Sequence, residues 1–72
     1  MDSDSDALVL LGRHIKQMRI KKGITQQQLC KSCDCEEGII DLIEKGKTDP
    51  TLLEINQIAK ALNVSLAEIF GY

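Results

Sequence analysis

Apolar residues recur along this chain at three- and four-residue intervals and nowhere alternate every second residue, so each periodic segment reads as a helix and none as a strand. Leu8, Leu11, Ile15 and Met18 form one apolar stripe on a first helix running to about Lys22, where Gly23 stops it. Thr25 with Gln28 has the spacing of a capping box, and Ile24 with Leu29 that of a hydrophobic staple. A second helix is therefore predicted over residues 25–32. A third is predicted over residues 35–45, with Ile40 and Ile43 inward, Gly46 as a left-handed terminator, and Lys45 and Lys47 near its negative end. Its start is weakly marked: Asp34 with Glu37 offers a capping box, while Glu36 also falls near the first turn. Thr51 with Glu54, after Pro50, opens a fourth helix that turns Ile55, Ile58, Ala59 and Leu62 inward and ends at Asn63. Ser65 with Glu68, flanked by Val64 and Ile69, opens a short fifth.

The predicted fold class is therefore all-α, with a flexible acidic tail over residues 1–6 and a single domain over residues 7–72. A chain of 72 residues buries only roughly 60% of its surface on folding, which leaves no core to spare for a walled cleft. A binding module is expected rather than an enzyme. The single histidine, His14, falls on the surface of the first helix, and there is neither a Ser/His/Asp set nor a glycine-rich phosphate loop, so neither catalysis nor a cofactor is expected. No stretch approaches the roughly 18 consecutive apolar residues of a membrane span, and the apolar run at residues 7–11 lacks the basic lead-in of a signal peptide. A cytoplasmic location with no membrane partner is the expectation.

Charge changes this picture by being unevenly distributed. The net charge of -2 includes -3 on the first six residues, from Asp2, Asp4 and Asp6, so the remainder is nearly neutral. Between Arg13 and Lys31 lie six basic residues and no acid, whereas between Asp34 and Glu44 lie five acids and no base. A polyanion would be attracted by one segment and repelled by the next.

The strings Thr25-Gln26-Gln27-Gln28-Leu29, Ile43-Glu44-Lys45-Gly46-Lys47, Pro50-Thr51-Leu52 and Ile58-Ala59-Lys60-Ala61-Leu62-Asn63-Val64-Ser65, with Ile40 between the first two, follow one another without a gap. Together they resemble the phage repressor and Cro family of helix-turn-helix regulators, the XRE family, over about residues 11–70. The resemblance implies a five-helix bundle in which the second and third helices form the helix-turn-helix and the third enters the major groove of double-stranded DNA. It also implies a homodimeric transcriptional regulator, a repressor or autoregulator.

Particular residues carry these expectations. Arg19 lies beside the Ile15 and Met18 stripe and Glu44 beside Ile40 and Ile43, and charges on apolar faces call for partners. The resemblance pairs them as a structural ion pair that orients the third helix. It also places Thr25 and Gln26 at a phosphate, where free backbone N–H groups favour an anion, helped by Lys45 and Lys47. On the residues alone, Gln26 is equally an exposed helix former and the lysines neutralise a helix end.

The resemblance implies that Glu37, Gly38 and Leu42 meet base edges, with Glu36, Ile39 and Asp41 alongside. None is Arg, Lys, Gln or Asn, so what remains is a carboxylate for cytosine N4 and an apolar chain for a thymine methyl. Gly38 inside a helix would cost about 1 kcal/mol against alanine, which implies close packing there or relaxed selection. Leu66, Ile69 and Phe70 exceed what a short last helix can bury, and are assigned to a dimer interface. Cys30, Cys33 and Cys35 are read first as small core hydrophobes, with redox sensing second and a three-thiolate metal site third; no metal is assigned. The competing functional reading keeps the fold but makes it an antirepressor or toxin-antitoxin component, docking a protein through the acidic and apolar face of the third helix.

Overall fold

The computed structural model describes the backbone of residues 3–71 and the side chains of residues 6–71. Five helices follow one another: α1 (Ser3–Lys21), α2 (Gln26–Cys33), α3 (Ile39–Glu44), α4 (Leu52–Leu62) and α5 (Leu66–Phe70). Among the described residues there is no strand. Three of the helices start on capping boxes, Thr25 with Gln28, Thr51 with Glu54 and Ser65 with Glu68, each satisfying two otherwise orphaned backbone donors.

The core joins all five helices. Ile15 of α1, Leu29 and Cys33 of α2, Ile40 and Ile43 of α3, Ile55, Ile58, Ala59 and Leu62 of α4 and Ile69 of α5 are buried together, with Leu11, Met18 and Ile24 packed against them. Helix α1 lies across α3 and α5, while α2 lies across α4 and α3, so α3 is held from two sides. One glycine makes the α1–α3 contact possible. A Cβ on Gly12 would press on the Ile43 carbonyl oxygen and come within 2.7 Å of that of Glu44, both backbone atoms that cannot move aside.

Five expectations are corrected. Residues 3–6, expected in a flexible tail, continue α1, because acids at a helix N-terminus complement its dipole; the rest of that tail, Met1 and Asp2, lies outside the described residues. The third helix begins at Ile39 instead of residue 35, and Glu37 and Gly38 form a turn before it. Gly38 is the N-cap at φ 88°, a left-handed conformation that side chains strain to adopt, and no atom lies within 4 Å of where its Cβ would stand. Its reason is backbone conformation, neither helix packing nor relaxed selection. Ile69, assigned to a dimer surface, is 0% exposed and belongs to the core, which leaves Leu66 and Phe70 at the surface. His14 is half-buried rather than on the surface: its Nδ1 is 3.2 Å from the Ile69 carbonyl oxygen, which joins α1 to α5.

Candidate nucleic-acid interface

The unit formed by α2, the turn and α3 is organised around one buried carboxylate. Glu44, at the end of α3, has a side chain only 2% exposed, and the Arg19 guanidinium from α1 meets it twice, Nε to Oε2 at 2.6 Å and Nη2 to Oε1 at 3.1 Å. Arg19 Nη1 donates to the Ile24 carbonyl oxygen at 2.9 Å, on the segment leading into α2. Gln26, in the first turn of α2, donates from Nε2 to Glu44 Oε1 at 3.0 Å and to Asp41 Oδ1 at 3.1 Å. Asp41 in turn accepts from Lys45 Nζ at 2.8 Å. A chain of charge-assisted bonds therefore runs from α1 through α3 to α2. Its two-pronged geometry fixes orientation as well as position, which a planar guanidinium does better than a point charge.

This arrangement alters the expectation for Gln26. An amide nitrogen has two N–H donors, and both are committed within the protein; its remaining oxygen is an acceptor, unsuited to a phosphate. Thr25 is committed in part: its backbone N–H donates to Gln28 Oε1 at 2.9 Å and its Oγ1 accepts from the Gln28 N–H at 3.0 Å, which leaves the hydroxyl O–H as a donor. At the start of α2 the groups able to meet an anion are thus the Thr25 hydroxyl and the first-turn backbone N–H groups outside the capping box, those of Gln26 and Gln27. Lys45 stands close by through Asp41, and Lys47 is exposed in the loop beyond. The ammonium of Lys45, and then the Gln26 amide, hold the Asp41 carboxyl below its ordinary range.

The residues expected at base edges fall in three places. Glu37, Gly38 and Asp41 share one surface groove of about 470 Å³ with Gln26, Gln27, Cys30, Lys31, Cys35 and Ile40. Leu42 is exposed on α3. Glu36 lies apart, in a separate hollow with Asp34, Ile39, Glu54 and Gln57. The structure also adds residues that the sequence reading passed over. Gln27 and Lys31 line the groove, and their four-residue separation within a predicted helix was the available signal. The place of Gly12 had no such signal, because it depends on how close α3 comes.

A left-handed turn at Asp34 (φ 52°), a glycine N-cap on α3, and a second helix braced by a buried ion pair define a helix-turn-helix. The family profile for helix-turn-helix proteins matches residues 15–69. The chain belongs to this family, in its XRE branch of transcriptional regulators. It is similar to the control protein C.BamHI of Bacillus amyloliquefaciens, at 31% identity over 65 residues, covering 89% of this chain and 80% of that protein. It is similar also to the uncharacterized HTH-type transcriptional regulator MJ0272 of Methanocaldococcus jannaschii, at 38% identity over 58 residues, covering 81% of this chain and 88% of that protein. The crystal structure of the restriction-modification controller protein C.AhdI from Aeromonas hydrophila superposes with a TM-score of 0.83 at 26% identity, over 86% of this chain and 94% of that one. The family is one of DNA-binding regulators rather than enzymes. No helix among the described residues is long and apolar enough to cross a membrane.

Proposed function

We propose that this protein is a sequence-specific DNA-binding regulator of the controller type, acting in the cytoplasm as a homodimeric repressor or autoregulator. The observation that carries the reading is the bracing of α3: Arg19, Glu44 and Gln26 hold it at a fixed angle to α2 while its Leu42 side stays exposed. A recognition helix needs that rigidity, because a hydrogen bond to a base edge weakens steeply away from its best distance and angle. Phosphates would be held by the Thr25 hydroxyl and the backbone N–H of Gln26, with Lys45 and Lys47, while Leu42 meets a thymine methyl and Glu37 a cytosine amine. Leu66 and Phe70, exposed on α5, would form the two-fold interface.

The test is a titration of duplex DNA, random and from upstream of its own gene, at two salt concentrations. Affinity should fall with salt as counterions are released, Lys47→Glu should reduce the salt slope by about 1 for every sequence, and Glu37→Gln should alter preference at one base pair. Sedimentation should give a dimer. A folded protein that binds no duplex at the lower salt would sink the reading, and a monomer at high micromolar concentration would sink its dimeric part. The Glu37 and Asp41 carboxylates in the groove favour the competing docking function in one respect, since they repel phosphate. That function predicts negligible duplex affinity and a protein complex lost on Leu42→Asp.

A further inference from the structure

Two thiols touch inside the turn between α2 and α3. Cys30 belongs to the last turns of α2 and Cys35 to the segment that follows, and the Cys35 N–H donates to the Cys30 carbonyl oxygen at 3.2 Å, folding this stretch back on itself. The Cys35 S–H donates to Cys30 Sγ at 2.9 Å. Cys30 Sγ in turn lies 3.0 Å from the Cys35 carbonyl oxygen and 3.2 Å from that of Glu36. Both cysteines are half-buried and line the groove beside Gln26 and Lys31, within reach of a small solute. Cys33 differs: it is 7% exposed and packed in the core. A disulfide requires sulfurs about 2.05 Å apart, so closing this pair takes a displacement on the order of 1 Å by side chains that already face each other. Among the described residues no third His, Cys, Asp or Glu joins them in a metal-holding group.

We propose that Cys30 and Cys35 are a redox modification site, converted to an intramolecular disulfide by a small hydroperoxide. The Cys30 thiol gives up its proton and its sulfur attacks a peroxide oxygen; the S–O bond forms as the O–O bond breaks, and the departing hydroxide leaves with that proton as water. Cys30 is then a sulfenic acid. The Cys35 sulfur attacks this sulfur, the S–S bond forms as the S–O bond breaks, and the hydroxyl leaves with the Cys35 proton as a second water. The two thiols lose two electrons and hydrogen peroxide gains them.

The environments assign the order. Burial, and after it the hydrogen bond and charge of Cys30, push the Cys35 thiol up to about 12, so Cys35 holds its proton while Cys30 is reduced. The contribution from Cys30 falls away once that sulfur is an uncharged sulfenic acid, while the larger one from burial remains, and the contact between the two sulfurs places Cys35 for the second step. Burial also raises the Cys33 thiol, and its place in the core keeps it out of the reaction. The site stands whether or not the protein binds DNA.

The experiment exposes the reduced full-length chain to hydrogen peroxide, blocks residual thiols under denaturing conditions, and maps the peptides by mass. The expected result is loss of two of the three free thiols, a Cys30–Cys35 cross-link lighter by two hydrogens and reversed by dithiothreitol, and Cys33 alone alkylated. Cys33→Ala should cross-link at the wild-type rate. Cys35→Ser should stop at a Cys30 sulfenic acid that dimedone traps; if that variant does not fold, the wild-type map and Cys33→Ala still decide. Three unreacted thiols, a cross-link containing Cys33, disulfides only between chains, or sulfinic acid on Cys30 without a cross-link would each overturn the proposal.

Discussion

Helices α3 and α4 share one core but are specified in opposite ways. The eleven residues of α4 carry a full capping box at Thr51, four inward apolar residues and a left-handed Asn63 at the end, so its own sequence dictates where it starts, stops and faces. The six residues of α3 have no side-chain cap and begin on a glycine at positive φ. What holds α3 comes from elsewhere: Arg19 and Gly12 on α1, and Gln26 on α2. An isolated helix of six residues is far below the roughly 12–15 needed for marginal stability in water, so tertiary contacts must make up the difference. The element proposed to read DNA is thus the one whose geometry is borrowed from its neighbours.

The largest expected effect is on the borrowed side. Arg19→Ala should destabilise the fold by about 3–5 kcal/mol, because it leaves the Glu44 carboxylate buried without its countercharge. A domain of this size has on the order of 4–10 kcal/mol in all, so urea titration should show most of that margin lost. The double variant Arg19→Met with Glu44→Leu should recover much of the stability without restoring function, since the pair orients α3 more than it stabilises the chain. Recovery of duplex binding in the double variant would show that α3 does not take its orientation from this pair. Gly12→Ala comes next. Alanine would gain about 1 kcal/mol in helix propensity, yet its Cβ meets two backbone carbonyls, and overpacking of that kind costs about 1–3 kcal/mol. The net change should be destabilising in thermal melts; a stabilised variant would mean that α1 and α3 are not in such close contact.

The same contrast explains what was legible in the sequence. The starts of α2, α4 and α5 could be read because each is written in residues three positions apart, and all four inward residues named for α4 are buried. The start of α3 could not, since the acids at Asp34, Glu36 and Glu37 imitate a capping box while the actual device, a left-handed Gly38, looks like a flaw within a helix. Ile69 was misplaced for a related reason: spacing shows that Leu66, Ile69 and Phe70 lie on one side of α5, but only packing shows that Ile69 points into the core. Of the interface, the Arg19 and Glu44 charges were legible as anomalies on apolar faces, whereas the diversion of Gln26 from phosphate to Asp41 and Glu44 depends on the distance between two helices.

Smaller effects separate the two helix starts. Gly38→Ala should cost roughly 1–2 kcal/mol, the strain of holding alanine in the left-handed region, although nothing nearby would clash. Thr51→Ala should cost about 1 kcal/mol through the lost cap. Their consequences for binding should diverge, and that divergence sharpens the comparison. Chemical denaturation checks the stabilities, while a duplex titration of each folded variant should show weakened binding only for Gly38→Ala, because only that change shifts the start of α3.

The least effect should appear in acid, at Asp41. Its carboxyl titrates below its ordinary value because Lys45 donates to it first and Gln26 next. A carboxylate with a lowered value in the folded state adds stability that is fully present above its unfolded value, about pH 4, and is lost as pH falls through the lowered folded value. Asp41→Asn keeps an acceptor for Gln26 and removes the charge. The variant should therefore be slightly less stable than wild type at pH 7, and the gap should close progressively below about pH 4. Because the Asp41 and Lys45 side chains are 41% and 56% exposed, the gap at pH 7 should also shrink with added salt, unlike the larger loss from Arg19→Ala. Thermal melts of both proteins across this pH range and at two salt concentrations read out the difference. A gap that neither pH nor salt alters would place Asp41 outside the network that braces α3.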